Sequence, residues 1–253
     1  MRYGIISDIH SNLEALNTSL DFLKFVDKII CLGDIVGYGA NPNECVELIK
    51  KNDVLCVKGN HDAVITGELS LDKFNEIAYL ALKWTMDKLT DENKKFLKGS
   101  NLVEQYKNLV FCHGSLEKPE NINYVFDEKD IATLKYVGEE IPKWDICFIG
   151  HTHAPIIAKV KDKEHINLKE DISYLKVADL EFNLELKGYK HIVNVGSVGQ
   201  PRDWDWRSCY FTYDSENQRL EYHRVEYELA KAQRKIVDAG LPVRLAKRLE
   251  IGR

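Results

Sequence analysis

Two pairs of residues, Asp8 with His10 and His151 with His153, are the chemical landmarks of this 253-residue chain. They lie in Ser7-Asp8-Ile9-His10 and Gly150-His151-Thr152-His153, each after a short apolar run, at residues 3–6 and 146–149. In an extended chain, residues i and i+2 project to the same side. Each pair therefore predicts two side chains aimed at one point beyond a strand end. Carboxylate and neutral imidazole are the donors of a transition-metal site. Three segments between the pairs carry the same chemistry: Gly33-Asp34, Gly59-Asn60-His61-Asp62 and His113-Gly114. Five of the eight histidines fall in these five segments, and glycine flanks four of the five. That suits tight turns and close backbone approach.

As ligands, Asp8 and Asp34 bring negative charge, while Asn60, His10, His113, His151 and His153 are neutral. Two divalent cations would leave a net positive centre. Such a centre attracts an anionic ester, generates hydroxide near neutral pH and can clamp both oxygens of an in-line displacement. Nitrogen and oxygen donors without thiolate suit Mn, Fe, Zn, Co or Ni better than Ca.

The elements that must position these residues alternate through the first half. Leu13, Leu16, Leu20 and Leu23 repeat at helical spacing after Ser11-x-x-Glu14, which predicts a capping box. Residues 28–32 read as a strand ending at Gly33-Asp34, and Asn41-Pro42 opens a second helix. Residues 54–57 form a third strand, 72–88 and 91–98 two helical stretches, and 109–112 a strand running into His113. The second half favours strands at 145–149, 156–160, 191–196, 208–213 and 218–225. Residues 162–188 read as a polar hairpin or excursion, and 227–250 as helix broken near Gly240 and Pro242. The pattern is α/β, βαβ first and antiparallel later. With no linker or repeat, it predicts one domain over residues 1–253.

Composition narrows the partners. The net charge of -5 argues against nucleic acid, whose phosphates select basic surfaces. No apolar run reaches the roughly 20 residues that span a bilayer, and strand pattern begins at once, so no membrane partner or signal peptide is expected. The six cysteines lack any C-x-x-C pair and read as buried hydrophobes of a reducing, cytoplasmic protein.

Taken in order, the five segments resemble the calcineurin-like metallophosphoesterase superfamily, over residues 3 to about 203. That family's pattern is Asp-x-His, Gly-Asp, Gly-Asn-His-Asp/Glu, His and Gly-His-x-His. Residues 7–16, 33–39 and 194–202 look closest to its small prokaryotic phosphoesterase branch. The resemblance implies a four-layer α/β/β/α sandwich of two mixed sheets flanked by helices. It implies a dinuclear centre that binds two divalent metals. Asp8, His10 and His153 would hold one metal and Asn60, His113 and His151 the other. Asp34 and a hydroxide would bridge them, and His61 would be the general acid. The expected activity is a phosphodiesterase or phosphatase acting on small, possibly nucleotide, phosphoesters. The alternative is a catalytically weak scaffold of the same fold that binds proteins, and a third reading is a nuclease. Where protein Ser/Thr phosphatases of the family carry Val-Asp-Arg-Gly, this chain has Val36-Gly37-Tyr38-Gly39, which disfavours protein phosphatase and leaves His61 without its usual carboxylate partner.

Other residues carry two readings each. Asn12 either touches phosphate or caps the first helix. Residues 196–199 either cradle an anion with backbone N–H groups or form a tight loop. Arg202 either clamps phosphate or pairs with Asp203 or Asp205. Trp204 and Trp206 either stack on a base or pack, and Tyr79, Trp84 and Tyr124 either wall the pocket or pack in the core, packing being the default for all five; His165, His191 and His223 receive no role.

Overall fold

The computed structural model describes residues 1–136, 141, 143–175 and 180–253, with side chains of 135 and 136 left aside. Twelve strands and eight α-helices are described. In chain order they are β1 (Arg2–Ile6), α1 (Leu13–Phe22), β2 (Lys28–Cys31), α2 (Pro42–Lys51), β3 (Leu55–Cys56), α3 (Asn60–Ile65), α4 (Glu76–Lys88), α5 (Asp91–Lys98), β4 (Val103–Tyr106) and β5 (Leu109–Cys112). Then come α6 (Glu128–Tyr136), β6 (Ile146–Ile149), β7 (Ile156–Lys161), β8 (Ile172–Leu175), β9 (Glu181–Asn183), β10 (Tyr189–Asn194), β11 (Ser208–Asp214), β12 (Arg219–Val225), α7 (Leu229–Asp238) and α8 (Val243–Ile251).

The strands form two six-stranded mixed sheets, ordered β3-β2-β1-β11-β12-β9 and β4-β5-β6-β10-β7-β8. Side-chain alternation assigns the layers. Leu109, Phe111, Ile146 and Phe148 join Tyr3, Ile5 and Phe211 in a core between the sheets. Their neighbours Val110, Cys112, Cys147 and Ile149 face the other way, onto Ile131 and Leu134 of α6. Ile6 and Cys31 face outward from the first sheet onto α1, α2, α4, α7 and α8. The result is the expected α/β/β/α sandwich. Gly4 keeps the helical layer close, since a Cβ there would lie 2.6 Å from Leu23 Cδ2.

The excursion at 162–188 contributes one edge strand to each sheet, β8 against β7 and β9 against β12; its residues 176–179 lie outside the described residues. The cap of α1 differs from expectation. Asn12, not Ser11, accepts the Ala15 N–H at 3.2 Å, and the Ser11 hydroxyl has no partner. All six cysteines are buried and unpaired. Among the described residues, no helix is long and apolar enough to cross a membrane.

Candidate metal centre

Strands β1 and β2 run parallel in one sheet, and β5, β6 and β10 run parallel in the other. Their C-terminal ends deliver Asp8, Asp34, His113 and the 150–153 loop to one place, the usual ligand edge of an α/β sheet. Three groups of ligand atoms lie within 4.8 Å of one another: Asp8–His10–His153, Asp34–His113–His151 and His10–Asp34–His61. Asp34 Oδ2 is 3.6 Å from His10 Nε2 and 3.3 Å from His113 Nε2, so this carboxylate stands between the first two groups. Asn60 joins the second through Oδ1, 3.2 Å from His113 Nε2.

The pairs converge for a reason other than the one expected. Asp8, His10, His151 and His153 lie beyond the strands and have φ of 53°, 48°, 67° and 60°, as Asp34 does at 52°. They are left-handed, not extended, a conformation costing roughly 1–2 kcal/mol per residue. Hydrogen bonds between the loops hold it. Asp8 N–H donates to Gly33 O, His10 N–H to Asp34 O, and Gly150 N–H to His113 O. Asp8 Oδ2 accepts from Ser7 Oγ at 2.7 Å and His151 N–H at 3.0 Å. Gly150 is required there, because a Cβ would lie 2.0 Å from Ser7 Oγ and 2.7 Å from Asp8 Oδ2.

Outer hydrogen bonds fix the ring tautomers. Nδ1 of His10, His113 and His153 meets the carbonyls of Val36 at 3.2 Å, Leu32 at 2.7 Å and Gln200 at 2.5 Å. A carbonyl only accepts, so each Nδ1 carries the proton and each neutral ring turns an Nε2 lone pair inward. His10 Nε2 and His153 Nε2 face each other at 3.1 Å, and His153 Nε2 is 3.1 Å from Asp8 Oδ1. Asp8 Oδ1 is buried with no hydrogen-bond donor. Buried acceptors gathered without donors call for a cation, so the donor set fits a metal. Burial would depress His113, but the Asp34 and Asp8 carboxylates overcome this and raise it to about 9, so a proton competes with a metal cation for its Nε2. Burial and the neighbouring His113 push His151 down to about 3, and burial and Arg202 push His153 down to about 4.

A cleft of about 220 Å³ opens onto these groups, lined also by His61, Tyr38, Phe74, Tyr124 and Arg202. His61 is wedged among the rings of His10, Tyr38 and Phe74, with centroids 4.7, 4.5 and 5.2 Å away. Its Nδ1 has no partner, and a Cβ on Gly37 would lie 2.3 Å from it. Asp62 is not its partner. That carboxylate accepts the N–H groups of Ile35, Val36 and Gly59, and so shapes the loop carrying Asp34.

Arg202 lines the cleft without either expected carboxylate, since Asp203 pairs with Arg224 and Asp205 with Arg207. Its Nη2 donates to Gln200 and its Nε is buried and unpartnered. Asn12 caps α1 and donates to Gly199 O at 2.9 Å. The N–H groups of Gly196, Val198 and Gly199 are paired internally, as is that of Gln200, so these N–H groups brace Asp8 rather than face an anion. Ser197 Oγ donates to Asp8 O at 2.8 Å. Tyr124, expected in packing, is 44% exposed and stacks on His151 with centroids 3.7 Å apart. An aromatic beside a ligand loop was its only signal in the sequence.

A model of the calcineurin-like phosphoesterase superfamily domain matches residues 1–218. An uncharacterized protein of Methanocaldococcus jannaschii is 41% identical over 256 residues, covering 99% of this chain and 98% of that one. The crystal structure of a metallophosphoesterase from Sphaerobacter thermophilus is 36% identical, covers 100% of this chain and 99% of its own, and superposes with a TM-score of 0.83. A hypothetical protein from Pyrococcus horikoshii shares the fold at 18% identity, with a TM-score of 0.78 and coverage of 100% and 98%. The match over most of the chain, together with two full-length relatives above one third identity, makes this protein a member of the calcineurin-like phosphoesterase superfamily, a family of metal-dependent phosphoric ester hydrolases.

Proposed function

We propose that residues 1–253 act as one domain that hydrolyses small phosphoric esters at a two-metal centre, in the cytoplasm. The observation that carries the reading is the donor-free meeting of Asp8 Oδ1, Asp34 Oδ2 and the Nε2 atoms of His10, His113 and His153. Asp8, His10 and His153 would hold one cation, Asn60, His113 and His151 the other, with Asp34 shared. Two divalent cations held there would lower the pKa of a bound water and neutralise phosphoryl charge. Mn²⁺, Fe, Zn²⁺, Co²⁺ and Ni²⁺ suit this donor set.

The chain's own groups then act on the ester. Arg202 binds phosphoryl oxygens through its free guanidinium edge. Asn60 turns Oδ1 toward His113, leaving its amide N–H groups for the substrate. His61 protonates the departing oxygen from a ring N–H, held in place by Tyr38, Phe74 and Gly37. Burial holds His61 well below the ordinary histidine range against the pull of the Asp34 carboxylate, so the ring must take up its proton with the anionic ester before it can deliver it. Leu69, Phe74 and Ile122 line the cleft, and its volume of about 220 Å³ suits a small substrate better than a protein surface.

The test is a panel of divalent ions against p-nitrophenyl phosphate, its bis ester, cyclic nucleotides and dinucleoside polyphosphates. Turnover is expected with at least one transition metal, and His61→Ala and Asp34→Asn are each expected to remove most of it. Wild-type-like rates in both variants would overturn the mechanism.

A further inference from the structure

Helix α8 lies beyond residue 218, where the family match ends, and walls a groove of about 800 Å³ beside the metal cleft. Tyr38 lines both spaces. Two guanidiniums stand against its ring, Arg202 at 6.0 Å and Arg248 of α8 at 5.8 Å from the centroid. Arg244, one turn before Arg248, lines the same groove.

Among the described residues, none of these three arginines has a carboxylate ion-pair partner, and the groove lining carries Arg244, Lys247, Arg248 and Arg253 against two acids. Asp203 pairs with Arg224 and Asp205 with Arg207, while Glu250 on the lining bonds only the neutral Gln233 and keeps its charge. Glu76, exposed at the start of α4, is the other acid on the lining. Arg248 gives Nε to the Arg253 carbonyl, Arg202 gives Nη2 to Gln200, and Arg202 Nε is buried without a partner. Burial, with the charges of Arg202 and Arg244, presses Arg248 down to about 10. Packing like charges together works against folding, and an anion would relieve it.

The arrangement is built rather than frayed. Trp204 N–H donates to Gly252 O at 2.8 Å, and the Arg253 guanidinium lies 4.8 Å over the Trp204 ring. A Cβ on Gly252 would lie 2.7 Å from the Asp205 backbone. The end of α8 is thus stapled to the loop that follows Arg202, which fixes Arg248 relative to the metal cleft.

We propose that Arg244 and Arg248, linked to the metal cleft through Tyr38 and Arg202, form a second anion subsite that holds a phosphate group of the substrate other than the one cleaved. This rests on the phosphoesterase reading and names its substrate class: small esters or anhydrides carrying at least two phosphates. Guanidinium matches phosphate through paired N–H···O bonds, and two arginines at one groove select a dianionic group over a neutral one.

The test is calorimetric titration of the metal-loaded protein with methylenediphosphonate and with methylphosphonate, alongside p-nitrophenyl phosphate hydrolysis. Wild type is expected to prefer the diphosphonate. In Arg244→Gln/Arg248→Gln that preference should fall by roughly tenfold or more. Competition of the ligands for metal is common to both proteins and cancels in the ratio. Arg248→Lys keeps the charge and should retain part of the preference, which gives a reading should the double variant fail to fold. A preference absent from wild type, or unchanged in the double variant, overturns the subsite. The titration reads binding whether or not the protein turns over an ester, so absent hydrolysis with every metal overturns the catalytic reading separately.

Discussion

Gly37→Ala isolates His61 from the metals. Gly37 has φ of +93°, and a Cβ there would lie 2.3 Å from His61 Nδ1, 3.1 Å from Cγ and 3.2 Å from Cε1. Ordinary contact begins at 3.4 Å, so the His61 ring must retreat by about 1.1 Å (3.4 less 2.3) or the loop must deform. The ring cannot move freely, because Tyr38, Phe74 and His10 surround it. A misplacement of about 1 Å can cost on the order of 100-fold, and a general acid contributes roughly 100- to 10,000-fold in all. We expect kcat to fall about 100-fold. The left-handed alanine should cost about 1–2 kcal/mol, lowering Tm by roughly 2–8 °C. Metal content by elemental analysis should stay at the wild-type value, since the three atoms nearest a Gly37 Cβ all belong to His61. The assay is kcat and KM on p-nitrophenyl phosphate in four proteins: wild type, Gly37→Ala, His61→Ala and the double variant. Groups acting as one unit are not additive, so adding Gly37→Ala to His61→Ala should cost little further turnover. A wild-type rate in Gly37→Ala, or a full second loss in the double variant, would refute the reasoning.

Three further outcomes follow from single environments. Burial holds His191 down at about 4, and neither ring nitrogen has a hydrogen-bond partner. The unfolded chain therefore binds a proton near pH 6.5 that the folded one refuses, so stability falls as pH drops from about 6.5 to 4, by about 3 kcal/mol. Urea titrations should show His191→Phe losing that part of the slope, and identical slopes would contradict it. Asp62→Ala strands the buried N–H groups of Ile35, Val36 and Gly59 and should cost about 3 kcal/mol or more in urea unfolding; a loss below about 1 kcal/mol would be inconsistent. Arg202→Ala should lower kcat/KM by roughly 10- to 100-fold, the value of a charge-assisted phosphate contact, and an unchanged kcat/KM would remove Arg202 from the site.

The parts of this molecule legible in its sequence are those dictated by side-chain type. Apolar runs ending in Asp8, Asp34, His113 and His151 give away the parallel strands and the edge on which they converge, because buried strands must be apolar and ligands must not. Backbone conformation was hidden. The left-handed turns at Asp8, His10, Asp34, His151 and His153 have only a weak local signal, since Asp and His enter this region more often than most residues; hydrogen bonds from loops far apart in the chain impose them. For the same reason the 196–199 loop resembled an anion cradle, since only the fold reveals that Ser7 O and Asp8 O take the N–H groups of Val198 and Gly199. Ser11 lost the cap to its neighbour because Asn12 bonds α1 and Gly199 together. The edge strands β8 and β9 were obscure because an edge strand meets water on one side and needs no strict alternation. Arg248 was silent in the sequence, as its meaning comes from packing against Tyr38.

The central claim is that Asp34 stands between two cations. Crystals grown with Mn²⁺ and measured at the manganese absorption edge should show two anomalous peaks. One should lie among Asp8, His10 and His153, and the other among Asn60, His113 and His151, with Asp34 touching both. A single peak, or two peaks that Asp34 does not join, would contradict the account.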